Sequence, residues 1–348
     1  MEYRQLGGTG VQVSTFSLGA MNFGEWATTD RAECRGIVDR ALDAGINLID
    51  TADAYSSGES EEIVGEALAH RRDEVVLATK FHMRMGPGAN QRGNSRLWIQ
   101  QAVEASLRRL GTDHIDLYQV HRPDLFMDVE ETLGALTDLV HAGKIRYLGC
   151  STFPAWHLVE AQWASERRGL ERFVCEQPPY SILVRHVEDD LLPVAQRYRM
   201  GTIVWGPLAG GWLTGKYGRA QTRPHDSRAT RTRGRLTRLF DPDRPEVQAK
   251  IDAVEQLTSI AEQAGLSLPQ LANAFVLSHP GVTSAIIGPR TTAQLDDLLS
   301  GAEVRLDRAT LDAIDEVVAP GRTLDPEERG WRSPFLAAGM RRRAEPTG

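Results

Sequence analysis

Four polar residues have the types and positions that chemistry requires: Asp50, Tyr55, Lys80 and His121. Three of them come at or just after the end of a short apolar run, and Tyr55 follows Asp50 closely. Burying an ionisable group costs free energy unless the group is paired. If the apolar runs are parallel strands, the four side chains meet at one edge of one sheet. A carboxylate, a phenol, an ammonium and an imidazole gathered there form a site for proton transfer.

The chemistry that this set could perform is the reversible reduction of a carbonyl. A free tyrosine has a pKa of about 10, so Tyr55 is a poor acid by itself. A neighbouring Lys80 ammonium would favour the phenolate, and Asp50 would hold that ammonium charged and oriented. Tyr55 could then donate a proton to a carbonyl oxygen to which His121 is hydrogen-bonded. The reaction needs a further group that supplies hydride.

Other interpretations of these residues are structural caps, metal binding and hydrolysis. Asp50 could cap a turn, Lys80 could be a surface lysine and His121 a hydrogen-bonded loop residue, but their recurrence at successive strand ends favours a site. The remaining histidines are scattered, and no His, Asp and Glu set has metal-ligand spacing. The nucleophile motif Gly-x-Ser-x-Gly does not occur, which argues against a serine hydrolase.

The elements that must position the four residues alternate between strand-like and helix-like segments from about residue 15 to residue 300. Eight strand–helix units favour a single α/β domain with a parallel (β/α)8 TIM barrel, and a doubly wound open sheet is the alternative. The predicted strands are Phe16–Leu18, Ile46–Ile49, Glu74–Thr79, Ile115–Val120, Ile145–Gly149, Phe173–Glu176, Thr202–Trp205 and Ser284–Ile287. The predicted helices are Asp30–Ala44, Ser60–His70, Ser95–Leu110, Val129–His141, Ala155–Arg168, Val187–Tyr198, Glu246–Ala264 and Thr292–Ser300. Asp30 is the predicted N-cap of the first, and the second begins with the capping pattern Ser-x-x-Glu at Ser60 or an offset version of it.

Additions to this regular pattern occur at both ends of the predicted barrel. Residues 7–10, Gly-Gly-Thr-Gly, lack the Rossmann spacing and predict a hairpin turn between Tyr3–Leu6 and Val11–Val13, below the barrel. Two long insertions, His82–Asn94 and Gly215–Arg244, follow the third and seventh strands and are expected on the C-terminal face, where barrel active sites lie. We predict a barrel domain over residues 1–320 and a partly mobile tail over residues 321–348.

Composition restricts the classes of partner and the cellular location. The net charge of −7 argues against nucleic acid or an acidic membrane as the main partner. No run of 18 apolar residues is present, and the first ten residues lack the layout of a signal peptide. The three cysteines have neither paired nor metal-like spacing, which is typical of reduced thiols. These features predict a cytoplasmic protein, monomeric or homo-oligomeric, that binds a small molecule, no nucleic acid and no membrane.

The segments around the four residues resemble the aldo-keto reductase superfamily. The matching stretches are GINLIDTADAY over residues 45–55, ATK over 78–80 and DLYQVHRPD over 116–124. The resemblance covers about residues 1–320. It implies a (β/α)8 barrel that binds NADPH or NADH without a Rossmann motif. It also implies that Asp50, Tyr55, Lys80 and His121 form a catalytic tetrad with Tyr55 as the acid and base.

The resemblance also implies cofactor contacts at later strand ends. Ser151 and Gln177 are similar to the residues that bind the nicotinamide amide, although Thr152 stands where many relatives have Asn. Trp205 resembles the ring that stacks on the nicotinamide, and Arg290 could meet a 2′-phosphate, so NADPH is favoured over NADH. The implied cofactor set is Met21, Asp50, Ser151, Gln177, Trp205, Gly206, Pro207, Leu208, Ala209, Gly210, Lys216, Arg228, Gly288, Arg290, Gln294 and Asp297.

The expected substrate pocket lies on the loops that follow the first and third barrel strands. We predict that Phe23, Trp26, Phe81 and His82 line it. The segments over residues 176–181 and 205–211 resemble bacterial reductases grouped with potassium-channel β subunits, some of which act on keto groups of nucleotide-linked deoxysugars. The sequence therefore predicts an NADPH-dependent reductase of an aldehyde or ketone, including a sugar or secondary-metabolite carbonyl. The alternative is a nucleotide-sensing regulatory subunit with slow or vestigial activity.

Overall fold

The apolar runs of the sequence form a closed parallel barrel. The computed structural model describes residues 1–218, 227–231 and 234–342, with only the backbone at Arg228, Arg231 and residues 234–236. Within these residues, eight strands pair with their neighbours in chain order, and the last pairs with the first, with Ala285 opposite Phe16. The barrel strands are β3 (Phe16–Gly19), β4 (Leu48–Asp50), β5 (Val76–Phe81), β6 (Ile115–Val120), β7 (Ile145–Ser151), β8 (Phe173–Gln177), β9 (Gly201–Trp205) and β10 (Ser284–Ile287). The predicted TIM barrel is confirmed.

Helices surround the barrel and bury its outer face. Their bounds are α1 (Arg31–Asp43), α2 (Glu59–Leu68), α3 (Arg96–Leu110), α4 (Val129–His141), α5 (Ala155–Arg168), α6 (Leu191–Arg197), α7 (Arg228–Arg231), α8 (Pro245–Gln263), α9 (Leu268–Ser278), α10 (Thr292–Leu299), α11 (Arg308–Val317) and α12 (Ala338–Arg341). Helix α9 is missing from the sequence prediction because it is buried on most sides and has little polar contrast. None of the described helices combines the length and apolar composition that crossing a bilayer requires.

The two predicted helix starts at Asp30 and Ser60 have different outcomes. Asp30 is the N-cap of α1, and its carboxylate accepts hydrogen bonds from the Ala32 and Glu33 amides at 2.9 and 3.2 Å. The predicted side-chain cap of the second helix is wrong, because α2 begins one residue before Ser60 and its N-cap is Gly58, which has a φ of 102° and no side chain to form a cap. The Ser60 hydroxyl instead donates to the Ala20 carbonyl at 2.7 Å and ties α2 to the chain after β3.

A β-hairpin closes the N-terminal end of the barrel, as predicted. Strands β1 (Tyr3–Gln5) and β2 (Gln12–Ser14) are antiparallel. Leu6 and Val13 are fully buried and pack with apolar side chains of the barrel interior. Gly7 has a φ of 59°, and a Cβ there would lie 2.4 Å from the amide nitrogen of Gly201 at the start of β9. The turn therefore requires glycine, and the opposite end of the barrel remains for the site.

The chain after α11 returns to the C-terminal face of the barrel. Asp325 is fully buried and its carboxylate lies 2.9 Å from Arg244 and 3.6 Å from Lys250. Lys250 is fully buried too and also pairs with Glu328 at 3.1 Å. These ion pairs attach the segment around Asp325 to helix α8. The division at residue 320 and the partly mobile tail remain predictions.

Candidate active site

The tetrad residues occupy the carboxyl ends of three adjacent strands. Asp50 is the last residue of β4, Lys80 lies in β5 opposite Gln119 of β6, and His121 follows β6 directly. Tyr55 begins a short 3-10 turn, Tyr55–Gly58, after β4. Parallel pairing of the strands brings these positions to one edge of the barrel, as the sequence predicted. The four residues lie up to about 70 positions apart in the chain.

Lys80 is the centre of the tetrad. Its fully buried ammonium donates to Asp50 Oδ2 at 2.6 Å, to the Thr51 carbonyl at 2.9 Å and to the Tyr55 hydroxyl at 3.1 Å. An ammonium has three donors, and each of them has an acceptor here. Burial alone would lower the pKa of Lys80, but the charges of Asp50 and Tyr55 outweigh that effect and raise it. The group is therefore a fixed cation in contact with the phenol oxygen.

Asp50 is held from its other side by two glutamines. Its Oδ1 accepts hydrogen bonds from Gln119 Nε2 at 3.0 Å and from Gln177 Nε2 at 2.8 Å. Gln177 also donates to Gln119 Oε1 at 3.2 Å. Gln119 was missed by sequence reasoning. Its signal was a polar residue in a buried strand, two positions before His121 and therefore on the same face.

His121 is a neutral imidazole beside the phenol. Its ring centroid lies 5.8 Å from that of Tyr55, and the two rings are nearly perpendicular. Burial, and then the positive charge of Lys80, hold the pKa of His121 well below its usual value. Its Nδ1 is buried and has no hydrogen-bond partner among the described residues. A neutral ring can offer one N–H to a carbonyl oxygen without taking the proton from Tyr55.

A cleft of about 2360 Å³ opens at this end of the barrel, and Tyr55 and His121 line it. Every residue of the expected cofactor set lines the same cleft except Arg228, whose side chain lies outside the described part of the chain. Trp26 and His82, from the expected substrate pocket, line it as well. The described residues bring no group of three or more His, Cys, Asp or Glu side chains into an arrangement that could hold a metal ion.

Phe23 and Phe81 do not line this cleft. Both are fully buried. Phe81 follows Lys80 in β5, so alternation along the strand turns its side chain away from the barrel interior. There its ring stacks on Tyr118 with centroids 4.8 Å apart. These two phenylalanines belong to the packing between the barrel and its helices.

The later strand ends fit a nicotinamide dinucleotide. The Thr152 hydroxyl is buried and has no hydrogen-bond partner among the described residues, so it could meet an amide group. Gly206 follows Trp205 with a φ of 71°, and a Cβ there would have no atom within 4 Å, so the end of this strand faces open space. Lys216 and Arg290 supply cationic groups at two further points of the same cleft. An aromatic ring, open glycine backbone and separated cations suit a molecule with a planar base and phosphates.

The segment around Gly330 also lines the cleft and was missed as part of the site. A Cβ on Gly330 would lie 2.7 Å from Trp205 Cζ2 and 2.8 Å from Thr152 Cγ2. Gly330 has a φ of 77°, so both its conformation and this close approach require glycine. The neighbouring Trp331 and Arg332 line the cleft too. The available sequence signal was a glycine followed by tryptophan within a polar stretch.

The sequence of this chain is similar to known proteins over most of its length. A family model described as the aldo/keto reductase family matches residues 15–319. An uncharacterized oxidoreductase of Bacillus subtilis, YrpG, is 38% identical over 95% of this chain and 100% of its own length. The aldo-keto reductase YhdN of the same organism is 37% identical over 86% of this chain and 88% of its own length. A probable voltage-gated potassium channel subunit beta of Arabidopsis thaliana is 36% identical over 91% of this chain and 97% of its own length.

Proposed function

The chain belongs to the aldo/keto reductase family, and on this premise we propose that it is an NADPH-dependent oxidoreductase that reduces an aldehyde or ketone to an alcohol. The observation that carries the proposal is the 3.1 Å contact between the buried Lys80 ammonium and the Tyr55 hydroxyl. A hydroxyl that faces a cleft and contacts a buried cation is suited to giving up a proton.

The proposed mechanism assigns proton transfer to Tyr55. The nicotinamide, when bound, supplies hydride to the carbonyl carbon. Tyr55 donates its proton to the carbonyl oxygen, and the Lys80 ammonium stabilises the phenolate that remains. Asp50 keeps Lys80 charged and directed at Tyr55. The neutral His121 donates a hydrogen bond to the same carbonyl oxygen and orients the substrate.

Cofactor binding is proposed for the residues at the later strand ends. Ser151 and Gln177 would hold the nicotinamide amide, and Trp205 would stack on the ring. The backbone of residues 206–210 would contact the pyrophosphate, helped by Lys216 and Arg228. The remaining proposed contacts, at the start of the cleft and at the adenosine end, are Met21, Gly288, Arg290, Gln294 and Asp297.

We expect Arg290→Gln to weaken the use of NADPH and not that of NADH. An arginine that meets the 2′-phosphate contributes a charge-assisted hydrogen bond of about 1.5 to 3 kcal/mol, so the KM for NADPH should rise about tenfold or more. Steady-state kinetics with each cofactor measures both values. Arg308→Gln, at the start of α11, is the charge-matched control. Equal increases in KM for the two cofactors would show that Arg290 does not bind the 2′-phosphate.

A screen of carbonyl compounds tests the proposed function itself. Aldehydes, ketones, sugars and keto-sugar nucleotides are each incubated with the protein and NADPH, and the loss of NADPH absorbance is followed. We expect turnover of at least one class at a rate typical of enzymes, about 1 s⁻¹ or more. NADPH binding without measurable turnover of any class would contradict the reductase proposal.

The second candidate function is a nucleotide-sensing regulatory subunit. It is favoured by the similarity to three relatives that are named as a probable or putative voltage-gated potassium channel subunit beta. They come from Arabidopsis thaliana, rice and Schizosaccharomyces pombe and are 36 to 37% identical to this chain. It predicts tight cofactor binding, very slow turnover with every carbonyl, and a stable protein partner. The complete Asp50, Tyr55, Lys80 and His121 set is compatible with both functions, so the turnover measured in the carbonyl screen decides between them.

The remaining properties of the chain support a small-molecule enzyme of the cytoplasm. Cys34, Cys150 and Cys175 are free and buried, which is typical of a reducing compartment. The net charge of −7 supports a substrate other than nucleic acid.

A further inference from the structure

Arg122 is a cation in the cleft that lacks an acidic partner in the described part of the chain. It follows His121 directly and lines the same cleft. Among the described residues the Arg122 side chain makes one hydrogen bond, from Nη1 to the His121 carbonyl at 2.6 Å. No carboxylate of these residues lies within ion-pair distance of the guanidinium. The side chain is partly buried. A guanidinium that loses water without gaining a counter-charge costs free energy, so a site that keeps one is suited to an incoming anion.

Two other cationic side chains of the cleft differ from Arg122 because carboxylates neutralise them. Arg244 pairs with Asp325 at 2.9 Å, and Arg238 pairs with Glu327 at 3.4 Å. Arg332 has no ion-pair partner among the described residues either, but its side chain is exposed and water can solvate it. Partial burial without a carboxylate therefore sets Arg122 apart from these three.

Glu176 is the carboxyl that acts on Arg122, but among the described residues it forms no ion pair with the guanidinium. Burial raises the pKa of Glu176 to about 7, so this carboxyl carries less charge at neutral pH than an ordinary glutamate. Its Oε1 already accepts a hydrogen bond from the Phe153 amide at 3.2 Å. Burial lowers the pKa of Arg122, and the charges of Tyr55 and Glu176 only oppose that shift. Arg122 therefore retains an unmatched positive charge within electrostatic range of the Tyr55 phenol.

Trp26, His82 and His121 line the same cleft as Arg122 and Tyr55. Burial lowers the pKa of His82, as it does that of His121, so both rings are neutral at neutral pH. The Trp26 ring lies 5.9 Å from the Tyr55 ring and forms an apolar wall of the cleft. A substrate could place its carbonyl at Tyr55, its body along Trp26 and an anionic group at Arg122.

We propose that Arg122 binds a carboxylate or phosphate group of the carbonyl substrate and thereby makes the protein selective for anionic aldehydes or ketones. This inference rests on the proposed reductase function and names its substrate class. A guanidinium forms two parallel hydrogen bonds with either oxyanion, so the chemistry of recognition is shared.

Matched substrate pairs test the selectivity. 4-Carboxybenzaldehyde is compared with its methyl ester, and glyceraldehyde 3-phosphate with glyceraldehyde, each with NADPH. We expect kcat/KM to favour the anionic member of at least one pair by about 10- to 100-fold, the range of a charge-assisted hydrogen bond. The pair with the larger ratio identifies carboxylate or phosphate as the preferred group.

Arg122→Gln should remove that preference through KM. We expect the KM of the anionic substrate to rise about tenfold or more, while kcat and the constants of the neutral partner change less than about twofold. Arg122→Lys should restore part of the preference, because a point charge replaces the paired donors. Arg308→Gln is the control that removes the same charge from an exposed side chain outside the cleft. An anionic preference that is absent in the natural protein, or that survives in Arg122→Gln, overturns the inference while the reductase function stands.

A binding measurement separates the two proposals if no carbonyl is reduced. Benzoate and benzyl alcohol are titrated calorimetrically into the NADPH-saturated protein. Benzoate binding that disappears in Arg122→Gln supports the anion site although the reductase function has failed. Benzoate binding that is absent from the natural protein, or unchanged in the variant, overturns the anion site as well.

Discussion

We expect Tyr55→Phe to abolish carbonyl reduction and to leave cofactor affinity within about twofold of the natural protein. The variant keeps the ring and removes only the hydroxyl that contacts Lys80 at 3.1 Å. General acid catalysis contributes about 10²- to 10⁴-fold, so kcat should fall by at least about two orders of magnitude. Steady-state kinetics gives kcat, and quenching of tryptophan fluorescence on adding NADPH gives the affinity.

The matched control for this variant is Tyr3→Phe. The Tyr3 hydroxyl donates to the Gly45 carbonyl at 2.8 Å at the opposite end of the barrel, so its loss removes a tyrosine hydroxyl far from the site. We expect kcat of the control to stay within about twofold of the natural value. If Tyr55→Phe turns over as fast as Tyr3→Phe, Tyr55 is not the proton donor.

We expect Lys80→Met to lower both the stability of the protein and its turnover. Removing one member of a buried ion pair leaves the other charge uncompensated and costs about 3 to 5 kcal/mol. Asp50 would keep its two glutamine donors but lose the ammonium at 2.6 Å. Turnover should fall by at least about 10²-fold, because the phenolate loses its stabilising cation. Denaturant unfolding measures the first effect, and NADPH oxidation measures the second.

The stability loss of this variant should depend on pH in one direction. The pKa of Lys80 is raised in the folded protein, so its contribution is fully present below the usual lysine pKa of about 10.4. The contribution disappears as the pH rises through the folded-state value. The difference in unfolding free energy between natural protein and Lys80→Met should therefore be constant from about pH 6 to pH 9 and shrink only above about pH 10.

Two further variants separate packing from charge. Lys144→Met removes a partly exposed lysine that pairs with Glu104, and its cost should stay below about 1 kcal/mol. The double variant Lys80→Met with Asp50→Leu should recover part of the lost stability, since no unpaired charge remains, without recovering turnover. Normal turnover by either Lys80 variant would contradict the assigned role of Lys80.

The barrel was predictable because its strands have a direct sequence signature. Parallel strands covered by helices are buried on both faces and read as continuous apolar runs, as in Ile115–Val120. The Asp30 cap was equally readable, because it depends on residues within one helical turn. Helix α9 was missed for the converse reason: burial on most sides removes the polar contrast that marks a surface helix.

The substrate side of the site was less predictable, because adjacency along a strand is not adjacency in space. Lys80 and Phe81 are consecutive, yet one faces the barrel interior and the other packs against Tyr118. The segment around Gly330 shows the reverse case, since it lies far from Trp205 in the chain and touches it in the fold.

The sequence by itself determined the barrel and the edge at which Asp50, Lys80 and His121 meet, because the apolar runs set the strands and each polar residue sits at a strand end. Tertiary structure alone decided that Asp50 is shared by Lys80, Gln119 and Gln177. It also decided that Arg122 lines the cleft with no carboxylate partner among residues 1–218, 227–231 and 234–342. The Asp50 contacts join side chains 30 to 127 positions apart, and local sequence patterns do not encode such contacts.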